Sequence, residues 1–184
     1  VAMAISAIFL MIFLLQHFLI NITSVFSEDI FNMLSHFMGT NFLVQFILQP
    51  ILIFGVIFHF VMGFYLEIQN RRAKKYIYHR ERGGDNSTWM SRNMIWSGLV
   101  VLSFLVLHFI DFWIPEMNHK YVEFLPEDPG RYFQELVHKF ENLWRVIFYC
   151  ISFVLLGLHL LHGFSSALKS MGTNKSYTSS VKNL

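Results

Sequence analysis

The chain of 184 residues is 54% hydrophobic and 17% aromatic but only 14% charged, against about 25% charged residues in an ordinary soluble domain. Its one cysteine, Cys150, excludes a disulfide framework and any cysteine-ligated zinc or iron–sulfur site within the chain. A net charge of +2 without a long basic tract leaves no footprint for nucleic acid, and nine histidines in so apolar a chain need an explanation.

In chain order, the first element is an uncharged run over about 1–23. It lacks a basic leader and a small-residue cleavage site, so it reads as a membrane helix rather than a cleaved signal. The connection over 23–41 has no Lys or Arg but carries Glu28 and Asp29. A second apolar helix follows over about 42–70. The connection over 67–93 then gathers Arg71, Arg72, Lys74, Lys75, Arg80, Arg82 and Arg92. A third helix over about 93–115 contains Asp111 as its one charge. Over 116–144, Lys120, Arg131 and Lys139 face Glu116, Glu123, Glu127, Asp128, Glu135 and Glu141. After a turn at Pro126–Gly130, apolar residues recur at helical spacing over about 130–142, which predicts an amphipathic helix on the outer surface, either packed at the interface or covering a pocket. The fourth membrane helix covers about 145–170.

Runs of about 20 apolar residues span a bilayer, and continuous runs favour helices over barrel strands. The expected fold is all-α: a transmembrane four-helix bundle in one domain over 1–184, made of two tandem helical hairpins. The basic residues place both ends and the 67–93 connection in the cytoplasm. Trp113 and Trp144 fall at outer ends, and Tyr76, Trp89 and Trp96 near inner ones. The chain starts without Met inside an apolar run and ends on a polar tail, so a piece of a longer chain is expected.

Each span carries a histidine: His17, His59, His108 and His159, with His162 three residues after the last. One such histidine reads as an interhelical hydrogen-bond partner; four together need a joint reason. At 1.5 Å per residue, His17 and His108 share an outer depth and His59 and His159 an inner one, with the levels roughly 10–15 Å apart. Two imidazoles at one depth can hold a flat metal macrocycle from both faces. The motifs repeat. Phe13-Leu14-Leu15-Gln16-His17-Phe18 parallels Phe104-Leu105-Val106-Leu107-His108-Phe109, and His59 with Gly63 parallels His159 with Gly163. Gly63 and Gly163 lie one turn from their histidines, where a missing side chain lets a planar group approach the backbone or lets helices pack closely. Haem suits this set better than zinc, and two axial histidines favour electron transfer over oxygen chemistry. Repeat alignment favours His159 as the ligand and leaves His162 as an alternative ligand or a neighbour. His36, His79, His119 and His138 read as ordinary polar loop residues. Asp111 and Asn21 read as solvated helix-end groups, with haem propionates or a quinone as other partners.

With these residues in view, the chain resembles the single-polypeptide, two-haem cytochrome b anchor of bacterial succinate dehydrogenase/fumarate reductase. The most specific part is His159-Leu160-Leu161-His162-Gly163 followed by Ala167-Leu168-Lys169-Ser170-Met171-Gly172. The resemblance implies two haem b groups, the inner on His59 and His159 and the outer on His17 and His108. It implies flavoprotein and iron–sulfur subunits on the cytoplasmic side, a membrane quinone such as menaquinone, and residence in the bacterial cytoplasmic membrane. The family anchor has five membrane helices, so a fifth is expected beyond Leu184. Some members carry a Glu two residues before the last ligand; here it is Gly157, so transmembrane proton coupling is not implied. The alternatives are the cytochrome b subunit of a hydrogenase or formate dehydrogenase and, from another class, a histidine-lined transporter.

Overall fold

The computed structural model describes residues 1–74 and 94–172. Most of them are helical, with no strand among the described residues. In chain order the α-helices are α1 (Ala2–Ile22), α2 (Glu28–Thr40), α3 (Gln49–Lys74), α4 (Met94–His108), α5 (Ile114–Tyr121), α6 (Arg131–Phe140) and α7 (Leu143–Ser170).

Four helical stretches are long and apolar enough to cross a membrane: Ala2–Val25, Val44–Arg72, Met94–Tyr121 and Leu143–Ser170, with mean hydropathies of 2.0–2.3. Their apolar side chains point mostly outward, as Ile12, Phe54, Ile57, Val106 and Val154 show. In water such exposure would be costly; against lipid tails it costs nothing, because the helix satisfies its own backbone.

Two spans run on through a proline. The turns Val44–Leu48 and Phe109–Trp113 are π-helical, and each ends two residues before a proline, Pro50 and Pro115. Proline lacks an N–H, and its ring crowds the carbonyl four residues back. Widening the helix by one residue relieves that crowding. The third span therefore does not stop at Pro115, as its sequence suggests, but continues to Tyr121.

Side-chain caps set three other boundaries. Ser27 is extended (φ −159°, ψ 120°) and accepts from the Ile30 amide, while Glu28 and Asp29 occupy the positive end of α2. Asn41 Oδ1 accepts from the Leu43 and Val44 amides, and Asn142 Oδ1 from those of Trp144 and Arg145. Helix α2 was not expected; the 23–41 connection read as a loop. The expected amphipathic segment is α6.

The chain divides into two compact units. The first comprises Val1–Ile12, Ile51–Leu99 and Leu155–Leu184; the second comprises Phe13–Pro50 and Val100–Val154.

Candidate functional site: two histidine pairs

The first unit contains His59 and His159, both half-buried and electrostatic neighbours. Each meets a serine from the preceding span. Ser6 Oγ lies 3.1 Å from His59 Nδ1, and Ser97 Oγ lies 3.0 Å from His159 Nδ1. Each serine hydroxyl also donates to the carbonyl three residues back, at 2.9 Å: Ser6 to Met3 and Ser97 to Met94. The two arrangements are copies. Ser6 precedes His17 by the same eleven positions as Ser97 precedes His108. His162, half-buried, is an electrostatic neighbour of His159 but has no matching serine contact among the described residues.

The glycines follow the same symmetry. A Cβ on Gly63 would lie 3.7 Å from Met3 Cε, and one on Gly163 would lie 3.8 Å from Met94 Cε. Both are ordinary contacts with flexible side-chain ends, so close backbone packing within the unit does not require either glycine. Gly55, one turn before His59, is different. Its Cβ would come within 2.7 Å of the Phe9 ring, so a methyl group there requires that ring to shift.

The second unit contains His17 and His108, whose ring centroids are 5.7 Å apart with planes at 87°. An aromatic shell surrounds them. Phe13 stacks on His17 at 5.6 Å and Phe104 on His108 at 5.8 Å. Phe112 and Tyr149 lie 5.1 and 6.4 Å from the His108 ring. His108 Nδ1 is buried without a hydrogen-bond partner among the described residues.

Asp111 corrects a sequence expectation. It is 2% exposed rather than solvated at a helix end. It accepts from the Tyr149 hydroxyl at 2.9 Å and pairs with Arg145 Nε at 3.1 Å. Asn21 is local, donating to the His17 carbonyl at 2.8 Å.

Helix α6 reaches this shell. Phe140, in its last turn, packs edge-on to Tyr149 at 4.9 Å and lies 6.4 Å from Phe112. Its other end has no capping side chain of its own, since Gly130 stands at the N-cap. Asn32 of α2 supplies the cap from a distance: its Oδ1 accepts from the Phe133 amide at 2.8 Å and its Nδ2 donates to the Gly130 carbonyl at 3.2 Å. Arg131 is turned inward rather than to solvent, bonded to Glu116 and Glu135. Glu116 also pairs with Lys120, whose ammonium donates to the Gly39 carbonyl. Burial pushes the Tyr132 phenol up to about 12, and the Glu116 charge adds to the rise.

The remaining described histidines are polar, as expected, but sit on short helices rather than in loops. His36 lies 3.8 Å from Glu127, His119 contacts the Pro126 carbonyl and His138 contacts Glu141. With them, a cavity of about 230 Å³ opens between α2, α5 and α6, lined by His36, Gln45, His119, Lys120 and Tyr132. Tyr76, His79, Trp89 and the basic residues from Lys75 to Arg92 lie outside the described residues.

Sequence reasoning missed Ser6, Ser97, Asn32 and Gly55. The first two were open to it, because extending the repeat eleven positions back from His17 and His108 ends on serine both times. Among the described residues no group of three or more His, Cys, Asp or Glu side chains converges on one point; the histidines come in twos. No protein-family model matches the chain, and no match is found among curated proteins or among solved structures.

Proposed function

We propose that this chain is the haem-carrying membrane anchor of a succinate:quinone oxidoreductase. It would pass electrons between a cytoplasmic iron–sulfur subunit and a membrane quinone. Two b haems would each be held by two histidines, His59 with His159 on the cytoplasmic side and His17 with His108 on the outer side.

The observation that carries the reading is the spacing of His17 and His108. Two imidazoles on opposite sides of one metal, at metal–nitrogen bonds of about 2.0–2.1 Å, would put their ring centroids about 6.4 Å apart, within about 0.7 Å of the spacing of this pair. The pair stands at 5.7 Å in an aromatic shell. The partnerless ring nitrogen of His108 adds support, because a buried polar atom left alone is costly. So does the placing of one histidine on each of four spans, since ionisable groups at membrane depth mark function.

Haem bound by these histidines would supply one-electron transfer. The chain does the rest. His17, His59, His108 and His159 would hold the group, and Phe13, Phe104 and Phe112, packed on the outer histidines, would keep water from it. Phe140 of α6 closes the same side. The basic residues that follow α3 in the sequence would favour docking of soluble flavin and iron–sulfur subunits on the cytoplasmic side. Succinate oxidation or fumarate reduction would take place on those subunits.

The test is a reduced-minus-oxidised spectrum of the extracted protein, with a haem assay. The expected result is a low-spin b-type spectrum with two haems per chain; a colourless protein overturns the reading. Co-purification then separates the complexes. A flavoprotein with succinate–quinone activity supports the anchor, whereas a hydrogenase or formate dehydrogenase metalloenzyme reassigns it.

A further inference from the structure

We infer that Ser6 and Ser97 are positioning residues for the haem ligands of the first unit, each setting the tautomer and ring direction of the histidine in its own hairpin. The inference rests on the bis-histidine reading above and names the groups that make those two histidines competent ligands.

A serine hydroxyl has one hydrogen to give. In both helices it has a ready acceptor in the carbonyl three residues back, at 2.9 Å. A carbonyl oxygen can only accept, so an oxygen–oxygen contact that short needs the hydroxyl proton between the two atoms. The serine oxygen is then left with lone pairs alone. At 3.1 Å from His59 Nδ1 and 3.0 Å from His159 Nδ1, it can only receive a proton from the ring. A neutral imidazole carries one N–H. Placing it on Nδ1 leaves Nε2 with its lone pair bare, which is the state a metal requires. The reverse tautomer would put the proton on Nε2 and leave the Nδ1 lone pair facing the serine oxygen, two acceptors with no proton between them.

Orientation follows from the same bond. Ser6 and Ser97 sit inside regular helices, so their oxygens are fixed points, and the bond to Nδ1 limits rotation of each ring about its axis. Partners of this kind on the far nitrogen of a ligating histidine also raise its basicity. A more basic imidazole favours the ferric over the ferrous ion, so each serine holds the potential of that haem down.

Duplication strengthens the case. The same four atoms (carbonyl oxygen, hydroxyl oxygen, Nδ1 and the methionine methyl beside the glycine) recur in both hairpins with distances that agree within 0.1 Å. Two serines that merely plugged their own backbones would have no reason to meet a histidine each.

The test is a potentiometric titration of the complete complex carrying S6A, S97A, both together, and S6T with S97T. The wave to follow is the one that H159A removes; the other wave reports that the protein is folded. Alanine is a better helix former than serine, so α1 and α4 are retained. The expected result is an upward move of that wave in each alanine variant, by up to about tenfold in the oxidised-to-reduced ratio, ~59 mV for one electron. The moves add in the double variant, the other wave stays, and threonine, which keeps the hydroxyl, returns the potential. A wave lost with alanine and regained with threonine supports the same role. An unmoved wave in the double variant overturns the inference and leaves the bis-histidine reading standing, as does a wave lost with alanine and threonine alike. A wild-type protein without haem overturns both.

Discussion

His159 and His162 share one helix face, and only a contact separates them: Ser97 meets His159. On the proposed reading, replacing His159 with alanine removes one haem of the two, whereas His162→Ala keeps both and shifts a potential. Haem content per chain checks this, and the opposite pattern would make His162 the ligand. The glycines divide in the same way by what surrounds them. Gly55→Ala drives a methyl into the Phe9 ring and is expected to destabilise by about 1–3 kcal/mol through overpacking. Gly163→Ala meets only a methionine methyl at 3.8 Å, so the unloaded chain should tolerate it. With haem lying against that face, the same methyl would alter the spectrum. Thermal unfolding and visible spectra of the two variants check both expectations, and equal stability losses would mean that Gly163 serves helix packing.

Helix α6 is where sequence reading and structure part most usefully. Its apolar periodicity is plain, but its attachment is not, because the cap comes from Asn32, 101 residues before the Phe133 amide it accepts from. Asn32→Ala removes the acceptor of one helix N-terminus and is expected to cost about 1 kcal/mol. Hydrogen exchange should rise first at the amides of Arg131–Phe140, and no local increase would show that the Arg131–Glu116 pair alone holds the helix. The chemistry of that pair also explains why Arg131, legible as the polar face of an amphipathic helix, is instead turned inward: Glu116 offers it a charge-assisted bond that water does not. The two π-helical turns belong to this scale as well. Pro50 and Pro115 were visible, and a proline inside an apolar run reads as a stop. A helix that can widen by one residue passes it, and only the backbone path shows that this one does.

For the whole molecule, the described residues have a thin core of their own. Ala4, Phe31, Phe104, Tyr149 and Ala167 are its buried apolar side chains. Lipid covers much of the remaining apolar surface, and on the proposed reading two haems supply further buried contact. A group that binds the folded chain and not the unfolded one stabilises it by about 2.7 kcal/mol at a hundredfold excess over its dissociation constant. Protein made under haem starvation is therefore expected to unfold at a lower temperature in the same detergent and to regain the difference when haem is added back. Identical midpoints with and without haem would argue that the histidines serve helix packing alone.

The sequence by itself determined the four spans, their all-helical class and the histidine on each one. Apolar length and backbone self-satisfaction leave no other way to cross a bilayer, and a histidine at membrane depth is conspicuous wherever it falls. Repeat spacing also paired Gly63 with Gly163 and His59 with His159. What the tertiary structure alone decided is which polar groups meet across separate helices. Ser6 finds His59 across 53 positions, Ser97 finds His159 across 62, and Tyr149 finds Asp111 across 38. A hydrogen bond is a matter of about 3 Å and a direction, and spacing along the chain carries neither once the helices have turned to face one another.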